Sequence, residues 1–111
     1  MKKVEAFVKS IRLSQVMLAL HHVEGLSGAS ITQATGFGRG HGPDGRSAHE
    51  VSDLNPIVRI EVYCADELVD QIVSAIEEKA HTGLRGDGKI YVSSIEQAVR
   101  ISTGERDQNA I

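Results

Sequence analysis

Val4, Ala6 and Val8 alternate with Glu5, Phe7 and Lys9, the two-residue period of a strand with one covered face. Leu13, Val16, Met17, Leu20 and Val23 follow at steps of three and four, which predicts a helix with one apolar stripe. Ser10 is its cap, or Ser14 if the helix starts later. Gly25 and Gly28 end it, and the β-branched segment from Ala29 to Thr35 predicts a second strand. From Gly36 to Pro56 no period survives, and a loop of that length within a domain is usually functional or disordered. Alternation resumes with Val58, Ile60, Val62 and Cys64 on one face and Ile57, Arg59, Glu61 and Tyr63 on the other. Asp66 is placed to cap a second helix with the stripe Leu68, Val69, Ile72, Val73 and Ile76. After HTGLRGDGK, Ile90 and Val92 share one face of a short strand. Ser93 with Glu96, or Ser94 with Gln97, has capping-box spacing and predicts a brief helical turn. The tail from Arg100 to Ile111 is polar apart from Ile101 and its end.

This order predicts an α+β domain over residues 1–111, a ferredoxin-like β-α-β-β-α-β sandwich. The sheet is antiparallel and both helices lie on one face. The opposite face then carries Phe7 and Tyr63 among Glu5, Lys9, Arg59 and Glu61. A face part aromatic and part paired charge suits a subunit interface better than bare water, so an oligomer is expected.

Composition narrows the function. Twelve basic against fifteen acidic residues give a net charge of −3, without the basic footprint of a nucleic-acid binder. Trp is absent and two Tyr with two Phe make no base-stacking platform. One Cys excludes an intramolecular disulfide framework or a Cys-rich zinc site. Lys2 and Lys3 imitate the start of a secretory signal, but Glu5, Lys9 and Arg12 interrupt the run behind them. No apolar stretch is long enough for a membrane helix, so the expected location is cytoplasmic.

Glycine is the unusual component. Of eleven, five lie between Gly36 and Pro56 and three in the loop before Lys89. Backbone N–H groups in a glycine-rich turn converge into an anion-binding concavity, and a neighbouring cation neutralises phosphate charge. Residues 82–89 supply that freedom with Arg85 and Lys89 as cations. Gly83 to Lys89 even matches G-x-x-x-x-G-K, but Ile90 stands where a P-loop needs Ser or Thr for magnesium. The loop also runs from helix to strand, the reverse of a P-loop, so a P-loop NTPase is rejected. A plain helix-ending turn would explain part of this glycine content. Gly36-Phe37-Gly38-Arg39 is a second, weaker candidate of the same kind.

With G-F-G-R at 36–39, Asn55-Pro56 and Arg59-Ile60-Glu61-Val62 after the long loop, and T-G-x-x-G-D-G-K at 82–89, the chain resembles the P-II signal-transduction proteins. Ile90-Tyr91-Val92, Arg100-Ile101, Thr103-Gly104-Glu105 and the opening Lys2-Lys3-Val4-Glu5-Ala6 extend the resemblance over the full length. It implies a homotrimer with ATP or ADP competing for clefts between subunits, AMP being a third candidate and the magnesium requirement open. It further implies that the loop at 36–56 docks on a regulated partner, a transporter or an enzyme. By position, Gly36, Gly38 and Arg39 would lie at the loop base against the nucleotide. Gly86, Asp87, Gly88 and Lys89 would surround the phosphates, Arg100 and Ser102 would approach from the tail, and Ser30 and Tyr63 would line the nucleotide. Gly40, His41, Arg46, Ser47, His49 and Glu50 would face the partner.

The departures from the family pattern matter as much. Gly40 replaces the Gln that helps hold magnesium and 2-oxoglutarate, and Ile57 replaces the Lys that pairs with the oxoacid carboxylate. Without that charge-assisted partner, weak or absent 2-oxoglutarate binding is expected. Ser102 replaces a second phosphate-contacting Arg. No Tyr lies between Gly36 and Pro56, which excludes nucleotidylation of a loop tyrosine, and the loop is about two residues shorter than the family's usual one.

Other chemistry is thinner. His41 and His49 share the loop with Asp44, Glu50 and Asp53, which raises a trimeric metal-binding or metal-response protein as the alternative. Their spacing is no recognised ligand pattern, and a solvated loop is the plainer reading. His21 and His22 are adjacent on a helix and cannot share a face. Cys64 belongs with the core face, and His81 with the helix end. Ser47 and His49 have nothing to orient them as nucleophile and base. The expectation is a regulator rather than an enzyme, with at most slow incidental ATP hydrolysis assisted by Asp87. A structural trimer whose loops bind only protein is a third reading.

Overall fold

The structure is a computed structural model that describes residues 1–37 and 55–111. Four strands form one antiparallel sheet in the order β2-β3-β1-β4: β1 at Lys2–Lys9, β2 at Ser30–Gly36, β3 at Asn55–Cys64 and β4 at Lys89–Ser94. Helices α1 (Leu13–His21) and α2 (Val69–Ala80) pack on one sheet face and against each other. This is the expected ferredoxin-like arrangement.

The two-residue period decides what is buried. Val4, Ala6 and Val8 of β1 and Val58, Ile60, Val62 and Cys64 of β3 meet Val16 and Leu20 of α1 and Ile72, Ile76 and Ala80 of α2. Cys64 is 3% exposed, the core residue its face predicts. Burying a branched side chain such as Ile60 or Ile72 contributes about 1.5–3 kcal/mol, which makes this layer the main source of stability.

Several local expectations change. Helix α1 ends at His21, with Val23 still buried beyond it through turn bonds from His22 N–H to the Ala19 carbonyl and from Val23 N–H to the Leu20 carbonyl. Neither Ser10 nor Ser14 caps it: Ser10 opens a 3₁₀ turn and Arg12 occupies the N-cap. Asp66 likewise opens a 3₁₀ turn at Asp66–Leu68, and its carboxylate accepts from the Met1 amino group at 2.7 Å instead of capping α2. The turn expected from the Ser93/Glu96 or Ser94/Gln97 spacing does not form. Strand β4 runs through Ser94, Ile95 N–H donates to the Met1 carbonyl, and the chain continues to a bridge between Val99 and Arg106. Val92 faces the helix layer but is 46% exposed, because β4 is an edge strand and α2 lies over β1. A 3₁₀ turn at Asp107–Ala110 has no counterpart in the sequence pattern.

No helix among the described residues is long and apolar enough to cross a membrane.

Candidate functional site

The loop between α2 and β4 is tied to the sheet by a carboxylate. Asp87 accepts the Thr82 N–H at 2.8 Å and the Thr82 hydroxyl, and more weakly the Gly83 N–H at 3.3 Å. Thr82 Oγ1 in turn accepts the Leu84 N–H at 3.0 Å, a Ser/Thr turn that bends the chain. Lys9, the last residue of β1, brings Nζ within 3.2 Å of Asp87 and donates to Thr82 Oγ1 at 3.4 Å. His81 Nδ1 stands 3.5 Å from the same carboxylate. Asp87 therefore holds an anion's place among the first amides of the loop, where sequence reasoning assigned those amides to an external ligand.

Donation from the Thr82 hydroxyl, then from the Thr82 amide, and the charge of Lys9 hold the Asp87 carboxyl well below the usual carboxylate range, against a smaller opposing effect of burial. A carboxylate depressed in this way stabilises the fold fully above its unfolded pKa of about 3.9, and the gain declines progressively as pH falls from there through the lower folded value. The loop is thus expected to stay ordered through about pH 4, where exposed carboxylates are half protonated. An acid titration of the Thr82 and Gly83 amide signals checks this; their collapse near the ordinary carboxylate pKa contradicts it.

Gly88 closes the loop against the sheet. Its φ is +100°, and a Cβ there would lie 1.7 Å from the Phe7 carbonyl oxygen. The next residue, Lys89, pairs with Phe7, and alternation puts its exposed side chain on the sheet face away from the helices. A cleft of about 350 Å³ lies beside the loop, between Val73, Ile76 and Ala80 of α2 and Gly88, Lys89 and Ile90.

The open sheet face carries the expected mixture of rings and charges. Phe7 and Tyr91 meet edge to face at 6.2 Å. Glu61 gathers Lys3 at 3.5 Å, Arg59 at 3.0 Å and the Tyr63 hydroxyl, which donates at 3.1 Å. Arg59 Nε is off the line a hydrogen bond needs, so that contact is an ion pair only. The Tyr63 hydrogen bond, then Lys3 and Arg59, lower the Glu61 pKa against desolvation, while burial and Glu61 raise that of Tyr63.

One chain does not gather all the expected ligand residues. Gly86, Asp87, Gly88 and Lys89 lie at the β4 edge, at the Phe7–Lys9 end of the sheet. Gly36 lies at that same end but on the opposite edge strand, paired with Asn55 and beside Ile57. Tyr63 pairs with Lys3, four residues or about 13 Å along the sheet from the Phe7–Lys89 pair. Ser30 pairs with Glu61 on the β2 edge. Arg100 and Ser102 are exposed on the tail that leaves β4 at its Met1 end. The expected positions Gly38, Arg39, Gly40, His41, Arg46, Ser47, His49 and Glu50 lie outside the described residues. Among the described residues no three His, Cys, Asp or Glu side chains come together to hold a metal.

Sequence reasoning missed Lys9 and Thr82. A Thr five residues before an Asp in a glycine loop is a readable signal for side-chain-to-backbone turns. The Lys9 contact spans 78 positions and carries no local signal.

The chain matches the family model "Nitrogen regulatory protein P-II" over residues 1–105. It is 49% identical over 113 aligned positions to the nitrogen regulatory protein P-II of Azospirillum brasilense, with all of both chains covered. The corresponding protein of Rhodospirillum rubrum is also 49% identical, and that of Haemophilus influenzae 48%, again over the whole of both chains.

Proposed function

Since the chain belongs to the nitrogen regulatory protein P-II family of signal-transduction regulators, we propose that it senses ATP and ADP, with AMP a third candidate, and controls a protein partner through the segment 36–56. The observation that carries this reading is the glycine loop at 82–89, already shaped by Asp87 and Gly88 beside the exposed Lys89. Backbone amides and a flexible cation suit phosphate, and neither aromatic platform nor net charge is required. Gly86, Gly88 and Lys89 would hold the phosphates, with Gly36, Gly38 and Arg39 at the loop base. Asp87 shapes the loop, and its engaged carboxylate favours regulation over catalysis.

The dispersal of the remaining ligand residues supports a cyclic homotrimer. Tyr63, Ser30, Arg100 and Ser102 lie away from the Lys89 end of their own sheet. A second copy meeting the first head to tail would supply them, and head-to-tail contacts close into rings when the rotation permits. The open face with Phe7, Tyr91 and the Glu61 charge cluster is the surface available for that contact. Nucleotide then shifts the partner-binding segment only by its differential affinity for the two states of that segment.

The 2-oxoglutarate response is proposed to be weak or lost. Ile57 stands at the loop base, half-buried, with its Cδ1 3.1 Å from where a Gly36 Cβ would lie. This is apolar surface where an oxoacid needs a cation. Calorimetry with ATP, ADP and AMP is expected to show binding that 2-oxoglutarate changes by less than about threefold, or roughly 0.7 kcal/mol. Absence of binding by all three nucleotides overturns the sensor reading, and strong enhancement by the oxoacid overturns its lost response. The particle mass is expected at about three times the 12.0 kDa chain. Tight zinc or copper binding abolished by His41→Ala would favour the metal-response alternative.

A further inference from the structure

We propose that Asp87 is a positioning residue, an internal anion that sets the glycine loop in its ligand-ready shape before any phosphate arrives, with Thr82 and Lys9 as its anchors. The inference rests on the nucleotide reading for the identity of the ligand, but the ordering of the loop does not.

Loop amides without a partner either face water or wait for a ligand that must order them on binding. Here the first amides do neither. Thr82 and Gly83 donate to Asp87, and Leu84 donates to the Thr82 hydroxyl that Asp87 also receives. Lys9 ties this knot to the end of β1, two residues from the Phe7 carbonyl that Gly88 closely approaches. The second half of the loop, from Gly86 to Lys89, is thereby held at both ends. A ligand meeting a preordered loop avoids the entropy cost of fixing each of its residues on binding. Lys9 also pairs with Ile57 in the sheet register, so the same cation stands between the glycine loop and the base of the 36–56 segment.

Positioning and simple electrostatics predict opposite signs, which makes the assignment testable. A carboxylate beside an anion site repels the ligand, so charge alone predicts tighter nucleotide binding in Asp87→Asn. Positioning predicts weaker binding by about tenfold, equivalent to 1.4 kcal/mol, with the loss in the entropy of binding. Amide hydrogen exchange on the full chain without nucleotide is the direct readout. Asp87→Asn and Thr82→Val are expected to lose protection at Thr82, Gly83 and Leu84 while the core amides of β1 and β3 keep theirs, and Thr82→Ser is expected to restore it. Calorimetry with ADP then measures affinity in the same variants. Unchanged loop protection in Asp87→Asn, or ADP binding as tight as in the parent, overturns the proposal. Loss of protection in a protein whose parent form binds no adenine nucleotide supports the ordering role and overturns the nucleotide reading instead.

Discussion

Gly88→Ala is expected to lower stability by about 3 kcal/mol or more, a drop of roughly 12 °C in Tm for a domain of this size. The new Cβ would sit 1.7 Å from the Phe7 carbonyl oxygen and 2.8 Å from its carbon. Both are backbone atoms of β1, a central strand paired on both sides, so no side-chain rotation relieves the overlap. The φ of +100° adds strain for any residue with a Cβ. The available escape is to peel the start of β4 from β1, which breaks the Phe7–Lys89 pair and carries Lys89 away from its place on the sheet. Thermal unfolding of the variant checks this, with Gly28→Ala as the control, since a Cβ at Gly28 meets nothing within 4 Å. A Tm within about 3 °C of the parent would show that the loop can reshape without disturbing the sheet.

On the proposed nucleotide reading, Lys89→Met separates binding from folding. The side chain is exposed and its stem is kept by Met, so the change in stability is expected within about 0.5 kcal/mol. A charge-assisted contact to phosphate is worth about 1.5–3 kcal/mol, so ADP and ATP affinity is expected to fall by roughly 10- to 150-fold. Calorimetry beside a melting curve measures both. A loss below about threefold with normal folding would remove Lys89 from the proposed phosphate site and move the weight to the tail arginine Arg100.

The cleft between α2 and β4 follows from the same edge position that leaves Val92 half uncovered. Two helices of nine and twelve residues cover the central strands and leave the β4 flank open.

The order of strands and helices, the division of β1 and β3 into a core face and a charged face, and the place of the glycine loop were legible in the sequence. Each rests on local periodicity or local turn chemistry, which one chain segment carries by itself. The caps were read less well. Ser10, Ser14 and Asp66 have cap chemistry, but side-chain oxygens go to the strongest donor within reach, and for Asp66 that donor is an amino group 65 positions away. The segment 38–54, with all the expected partner-facing residues, lies outside the described structure. Tertiary structure alone decided that Asp87 answers to Lys9 and that Tyr63 and Lys89 stand at different ends of one sheet face. Such pairings depend on strand order and register, which local periodicity does not encode. The glycines and Lys89 mark the proposed anion site in one dimension, and the strand order β2-β3-β1-β4 determines which of its residues a single chain can bring together.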